Sequence, residues 1–187
     1  MSNEESDTKL GELILYISQK CALDPNFGAT KLNKILYFSD FLAYGNWGKS
    51  ITGSQYQHLP KGPAPKQLRP VRAQLQASGW LAIQPVQLSN GYVQHRTVNL
   101  REPDLTLFSG TEIALVDRVI EQLSGLNATE VSDLSHLEVG WKATRNGETI
   151  PYATVFLSSA PLSEAELWRA REIAQEIIKE EPAEAAA

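Results

Sequence analysis

His58, His95 and His136 are the only imidazoles in the sequence, and they stand far apart in it. None has a carboxylate or a second histidine four residues away, the spacing that sets two metal ligands on one helix face. His136, in DLSHLEVGW, is the one worth weighing as a site residue. Asp133 and Glu138 lie near it, but acids are dense throughout that third of the chain. His136 has two readings, a polar contact or proton shuttle at a site, and a helix-end histidine bonding a local carbonyl. A lone histidine seldom catalyses unaided, which favours the second. Cys21 is the single cysteine, so neither an internal disulfide nor a cysteine-based zinc site can form. It closes the apolar face of Leu10, Leu13, Ile14 and Ile17 and reads as a small core residue, not a nucleophile. A P-loop, a GxGxxG turn, an HExxH helix and a GxSxG elbow are all missing from the sequence. These residues predict a binding protein without metal or cofactor, not an enzyme.

The elements that would position them are mostly helical. The apolar stripe predicts a first helix over Asp7 to Cys21, followed by a break at Asp24-Pro25 and Gly28. Thr30 fits the N-cap of a second, central helix, TKLNKILYFSDFLAYG, with Gly45 and Gly48 at its end. Residues 49–65 read as irregular apart from a short strand within Ser54–Leu59. In LPKGPAP three prolines fix φ around one glycine. A third helix runs to Ser78 with Gly79 as its stop, and Pro70 either begins it or kinks a longer version. There Leu68, Val71 and Leu75 would face the core, leaving Lys66, Arg69 and Arg72 exposed.

WLAIQPV and YVQHRTV around Ser89-Asn90-Gly91 predict a β-hairpin. Ser109 with Glu112, Asn127 with Glu130, and Ser163 with Glu166 are three helix-start pairs, the last stapled by Leu162 and Leu167. The expectation is an α+β, mainly α, single compact domain over residues 6–181, with about five to seven helices and one small antiparallel hairpin. Residues 1–5 and 182–187 are left as flexible tails.

Charge is unevenly spread. From Phe41 to Arg101 there is no Asp or Glu, while Lys49, Lys61, Lys66, Arg69, Arg72, Arg96 and Arg101 are all basic. The whole chain nevertheless carries −5. An acid-free stretch this long points to an anionic partner, or to packing against the acidic last third of the same chain. No run is long and apolar enough to span a bilayer, and the acidic start is unlike a signal peptide. A reducing cytoplasm is the expected location, with no membrane partner.

KLNKILYFSDFLAYGNWGKSI, KGPAPKQL and DLSHLEVGWKATRNGETIPY occur in the order and spacing of three motifs of the Panacea domain. The chain thus resembles the SocA-like antitoxin family of bacterial and phage toxin–antitoxin systems, from about Leu10 to Tyr152. Lys61 stands where that family usually has an aromatic residue, and Pro70 is an unexpected breaker. The resemblance implies a mainly helical domain that neutralises a cognate toxin by direct binding. The family's SocA is a protease adaptor, which adds an AAA+ unfoldase as an alternative partner. Leu32, Leu36, Tyr37 and Phe38 match its structural helix, Gly62 and Pro63 its turn, and His136 and Trp141 its late motif.

The partner-binding residues expected on this basis are Lys61, Lys66, Arg69, Arg72, His136 and Trp141. Trp47, Trp80 and Trp141 are candidate anchors, with at least two of the four tryptophans expected in the core. The C-terminal AEAAA resembles a tag read by unfolding proteases, against the plain reading of a frayed end. The alternative function is a winged-helix regulator that binds DNA through the residue 64–98 segment, its helix and hairpin, with Tyr92, His95 and Arg96 near phosphates. Few phosphate contacts and a pI near 5.3 weigh against it.

Overall fold

The computed structural model describes residues 2–88 and 91–157, and Glu164, Trp168, Arg169 and Glu172 beyond them. Residues Met1–Leu157 form one compact unit and Ser158–Ala187 a second. In the second unit those four residues are helical. The rest of the expected last helix, its staple and the AEAAA tail lie outside the described residues.

Helix α1 spans Asn3–Lys20 and begins ahead of the expected Asp7, because Ser2 Oγ accepts from Glu5 N–H at 3.2 Å. Glu4 and Glu5 in its first turn suit the positive end of the helix dipole. Leu10, Leu13, Ile14, Leu15 and Ile17 are fully buried, each worth about 1.5–3 kcal/mol relative to exposure. Cys21 packs beside them, and burial pushes its thiol up to about 12. Helix α2, Ala29–Trp47, is not capped by Thr30. Gly28 holds the N-cap position, since a Cβ there would meet Gln94 Cγ at 2.8 Å. Gly45 lies inside the helix, and Gly48, at φ 70°, ends it.

The short strand expected within Ser54–Leu59 forms as β1 (Tyr56–Gln57), and it joins two further two-residue strands that sequence reading missed, β2 (Ala64–Pro65) and, late in the chain, Thr149–Ile150. β1 is central, pairing antiparallel with both. Helix α3, Leu68–Ala77, takes Pro70 in its first turn, where a backbone N–H would have no helical acceptor. Leu68, Val71 and Leu75 are buried as expected.

The hairpin of β3 (Leu81–Gln87) and β4 (Val93–Asn99) forms in the register Leu81↔Asn99 to Gln87↔Val93. Arg96 donates to the Asp24 carbonyl at 2.8 Å and the Ala22 carbonyl at 2.9 Å, fastening β4 to the loop between α1 and α2. After a 3₁₀ turn at Leu105–Leu107 come α4 (Gly110–Leu123) and α5 (Ala128–Leu137), both opened by the expected capping boxes. The short α6 (Val139–Lys142), β5 (Thr149–Ile150) and a 3₁₀ turn at Tyr152–Phe156 complete the unit. The fold is α+β and mainly helical, with two small antiparallel sheets among the described residues.

Two apolar clusters hold it. The larger joins α1, α2, α3, α4 and Val131 of α5. The smaller holds Tyr37, Phe41, Tyr56 and Ile150, with Tyr152 against them. Asp40 is fully buried beside this second cluster. It accepts from Thr52 N–H at 2.8 Å, Thr52 Oγ1 at 2.5 Å and Tyr56 OH at 2.8 Å. Burial still lifts its carboxyl above the usual range, against those bonds.

Candidate functional site

The three motif segments meet at the turn of residues 59–63. Each of three carbonyls there accepts from a different helix. Lys34 Nζ on α2 donates to the Pro63 carbonyl at 2.9 Å, Ser132 Oγ on α5 to Lys61 at 3.1 Å, and Trp141 Nε1 on α6 to Leu59 at 3.2 Å. Gly62 is needed at the centre of this clamp: its φ is 87°, and a Cβ would stand 2.6 Å from Lys34 Nζ and closer still to Ser135 Oγ. Ser135 is itself held, donating to the Ser132 carbonyl at 2.7 Å.

Lys34 is 1% exposed, and burial lowers its ammonium pKa to about 7. This is desolvation of a cation whose only direct partner among the described residues is a neutral carbonyl.

Trp141 lies near-parallel to two imidazoles, with ring centroids 4.3 Å from His58 and 4.0 Å from His136. His58 Nδ1 is 3.1 Å from the Trp141 carbonyl and 3.2 Å from Thr144 Oγ1. His136 Nε2 does not bond a local carbonyl as expected: among the described residues it is buried without a partner, and the ring stacks on Trp141. Burial lowers its pKa, and the nearby Lys34 and His58 charges add to that, opposed by Asp133. The His136 ring is thus packed face to face on the Trp141 indole.

The expected site residues are split by the fold. Lys61, His136 and Trp141 come together at the clamp. Lys66 instead donates to Thr149 Oγ1 at 2.5 Å and Gln55 Oε1 at 3.3 Å, across the three-stranded sheet. Arg69 is exposed on α3, with no partner for its guanidinium among the described residues. Arg72 is not on an exposed face: it is half-buried, and Nη2 donates to Thr97 Oγ1 on β4 at 2.9 Å. The tryptophans also depart from expectation. Trp47, Trp80 and Trp168 are exposed and Trp141 is half-buried, so none sits in the core.

Arg96 and Arg101 are spent inside the fold as well. Arg101 forms an ion pair with Glu12 and lies over the Trp80 ring at 4.2 Å, while Glu12 also accepts from Asp104 N–H at 2.7 Å. Of the seven bases in the acid-free stretch, Lys49, Lys61 and Arg69 keep side chains without partners among the described residues.

Sequence reading missed Lys34, His58, Ser132 and Ser135. The serines at i and i+3 before His136 were the available signal, since that spacing puts both on one helix face. Lys34 gave none, because a helical lysine ordinarily reads as solvent-facing. Above the clamp opens a groove of about 810 Å³, walled by the first turns of α2 and α5, Pro60 and Lys61, and, on the hairpin, Leu88 and Tyr92 to His95. Among the described residues no group of three or more His, Cys, Asp or Glu is placed to hold a metal. No described helix is long and apolar enough to cross a membrane.

The sequence model of the family described as "Antitoxin SocA-like, Panacea domain" matches residues 32–142, more than half of the chain. That span starts in α2 and ends in α6, so it takes in every residue of the clamp. No curated protein and no solved structure matches the chain.

Proposed function

The chain belongs to the SocA-like antitoxin, Panacea domain family, and on that premise we propose that it neutralises a cognate toxin by forming a direct protein–protein complex with it. The observation that carries this reading is the coincidence of the family span with the clamp, which fastens three distant motifs to one turn. Residue types that could do chemistry are all committed to packing there: two imidazoles to the Trp141 ring, the Lys34 ammonium to a carbonyl. A preorganised surface loses little entropy on association, which favours binding.

A protein partner fits better than DNA. Arg72 and Arg96, which a winged-helix mode would place on phosphates, bond to Thr97 and to loop carbonyls instead. Of the seven bases in the acid-free stretch, only Lys49, Lys61 and Arg69 keep unpartnered side chains among the described residues, few for the counterion release that drives duplex binding.

The test is affinity purification of the tagged chain from its native host, with co-purifying proteins expressed singly. A stoichiometric partner that arrests growth alone and is tolerated alongside this chain is the expected result. A harmless partner, or recovery of DNA alone, overturns the reading.

A further inference from the structure

The groove above the clamp differs from the rest of the molecule in charge. The chain carries 22 acids against 17 Lys and Arg. Yet among the described residues lining the groove there is no Asp or Glu, while Lys31, Lys61, His95 and His136 all line it. Lys31 is tied to Asp24 at 2.6 Å and the Leu126 carbonyl at 2.9 Å, so Lys61 is the cation open to a ligand. One wall is the start of α2, where Gly28 offers no side chain to cap the first amides. The positive end of that helix dipole therefore adds to the field of Lys61. The other wall carries apolar surface: Val93 is 48% exposed and Tyr92 73%.

We infer that this groove is the interaction site of the chain, and that its occupant is an acidic segment of the partner protein, carrying carboxylates towards Lys61 and the start of α2 and apolar side chains towards Tyr92 and Val93. The inference rests on the antitoxin reading only for the identity of that partner. A volume of about 810 Å³ lies in the range of built binding pockets, which suits a short segment seated in a cleft. Nucleic acid is the less favoured polyanion. Glu130 and Asp133 are exposed on α5 beside the groove and repel any anion that reaches them, so a continuous phosphate backbone running past the groove is disfavoured more than a short segment whose carboxylates stay at Lys61 and the start of α2. Charge complementarity of this kind sets orientation and association rate, and the apolar wall supplies the desolvated contact.

Fluorescence anisotropy of a short fluorescein-labelled peptide of glutamate and leucine, titrated with the full chain, tests this directly. Lys61→Glu reverses the groove's open charge, and Ala128→Trp fills the groove from an exposed position on α5. Lys49→Glu makes the same charge change on an exposed side chain outside the groove, and circular dichroism checks that all three variants fold. Saturable binding, weakened roughly tenfold or more by each groove variant and unchanged by Lys49→Glu, is the expected result. Absence of peptide binding, indifference to both groove variants, or displacement of the peptide by an oligonucleotide of equal charge would each overturn it. Growth rescue by the wild-type chain is read separately. Rescue that survives both groove variants sinks the groove alone, and failure of wild-type rescue sinks the antitoxin reading alone.

Discussion

Replacing Gly62 by alanine should be among the most damaging single-methyl additions in the molecule. At φ 87° an L-residue carries about 1–2 kcal/mol of left-handed strain. The added carbon would also lie 2.6 Å from Lys34 Nζ, with Ser135 Oγ closer still, and both side chains are buried and anchored. Relief requires moving the ammonium off the Pro63 carbonyl or the hydroxyl off the Ser132 carbonyl. Either leaves a buried polar group unmatched, at about 1–3 kcal/mol. The expected loss is about 2–5 kcal/mol, a large fraction of a typical domain stability of about 5–15 kcal/mol. Gly147 supplies the control: its φ is 85°, and no atom lies within 4 Å of a Cβ built there. Gly147→Ala should therefore cost only the backbone strain, about 1–2 kcal/mol. The entropy that alanine removes from the unfolded chain is common to both and cancels in the comparison. Urea unfolding of the two variants and the parent, compared at equal m-value, reads the difference. If the two alanines cost the same within about 0.5 kcal/mol, the turn is not clamped by Lys34 and Ser135 and the reasoning fails.

Lys34 should give stability a pH dependence of defined sign. Its pKa falls from 10.5 unfolded to about 7 folded, so between those values the unfolded chain binds the extra proton and stability rises with pH. The slope approaches about 1.4 kcal/mol per pH unit within that window and is absent below it. Lys34→Met should flatten it, and an unchanged slope in urea titrations from pH 7 to 10 would contradict the assignment. Asp40→Ala should cost roughly 3–5 kcal/mol by stranding Tyr56 OH and both Thr52 donors, while Asp40→Asn, which can still accept from Thr52 N–H, should cost less. Equal losses in differential scanning calorimetry would show that the hydrogen bonds do not matter. On α3, Arg72→Ala should destabilise by about 1–3 kcal/mol through the lost Thr97 bond and stem packing, and Arg69→Ala by under about 0.5 kcal/mol. Thermal melts that rank these two the other way round would refute the placement of Arg72 inside the fold.

Features written in neighbouring residues could be read from the sequence. The capping boxes Ser109/Glu112 and Asn127/Glu130 form as expected because both halves of each bond lie within one turn. The hairpin and the buried stripe of α1 were legible for the same reason: strand alternation and helical period are local patterns. The sheet of β1, β2 and β5 was not, since Tyr56 pairs with Ile150, and two residues are too few to show alternation. Thr30 looked like a cap until the hairpin's Gln94 is seen to pass over Gly28, a tertiary approach that sequence order hides. In the site, Gly62, Pro63, His136 and Trp141 stood out by motif, whereas Lys34, His58 and Asp40 were invisible. Lys34 and Asp40 acquire their roles only when α2 is buried on nearly every side, and His58 only when Trp141 of α6 stacks on it. The basic stretch misled in the opposite direction, because Arg72, Arg96 and Arg101 face acceptors of the same chain.

Direct binding is tested by titrating the purified chain into its purified partner toxin. Calorimetry should show saturable association with a dissociation constant on the order of 1 μM or tighter. Toxin activity should fall in step with occupancy. A toxin that this chain neutralises in cells, yet that shows no heat, no complex and no inhibition in the purified mixture, would contradict the claim.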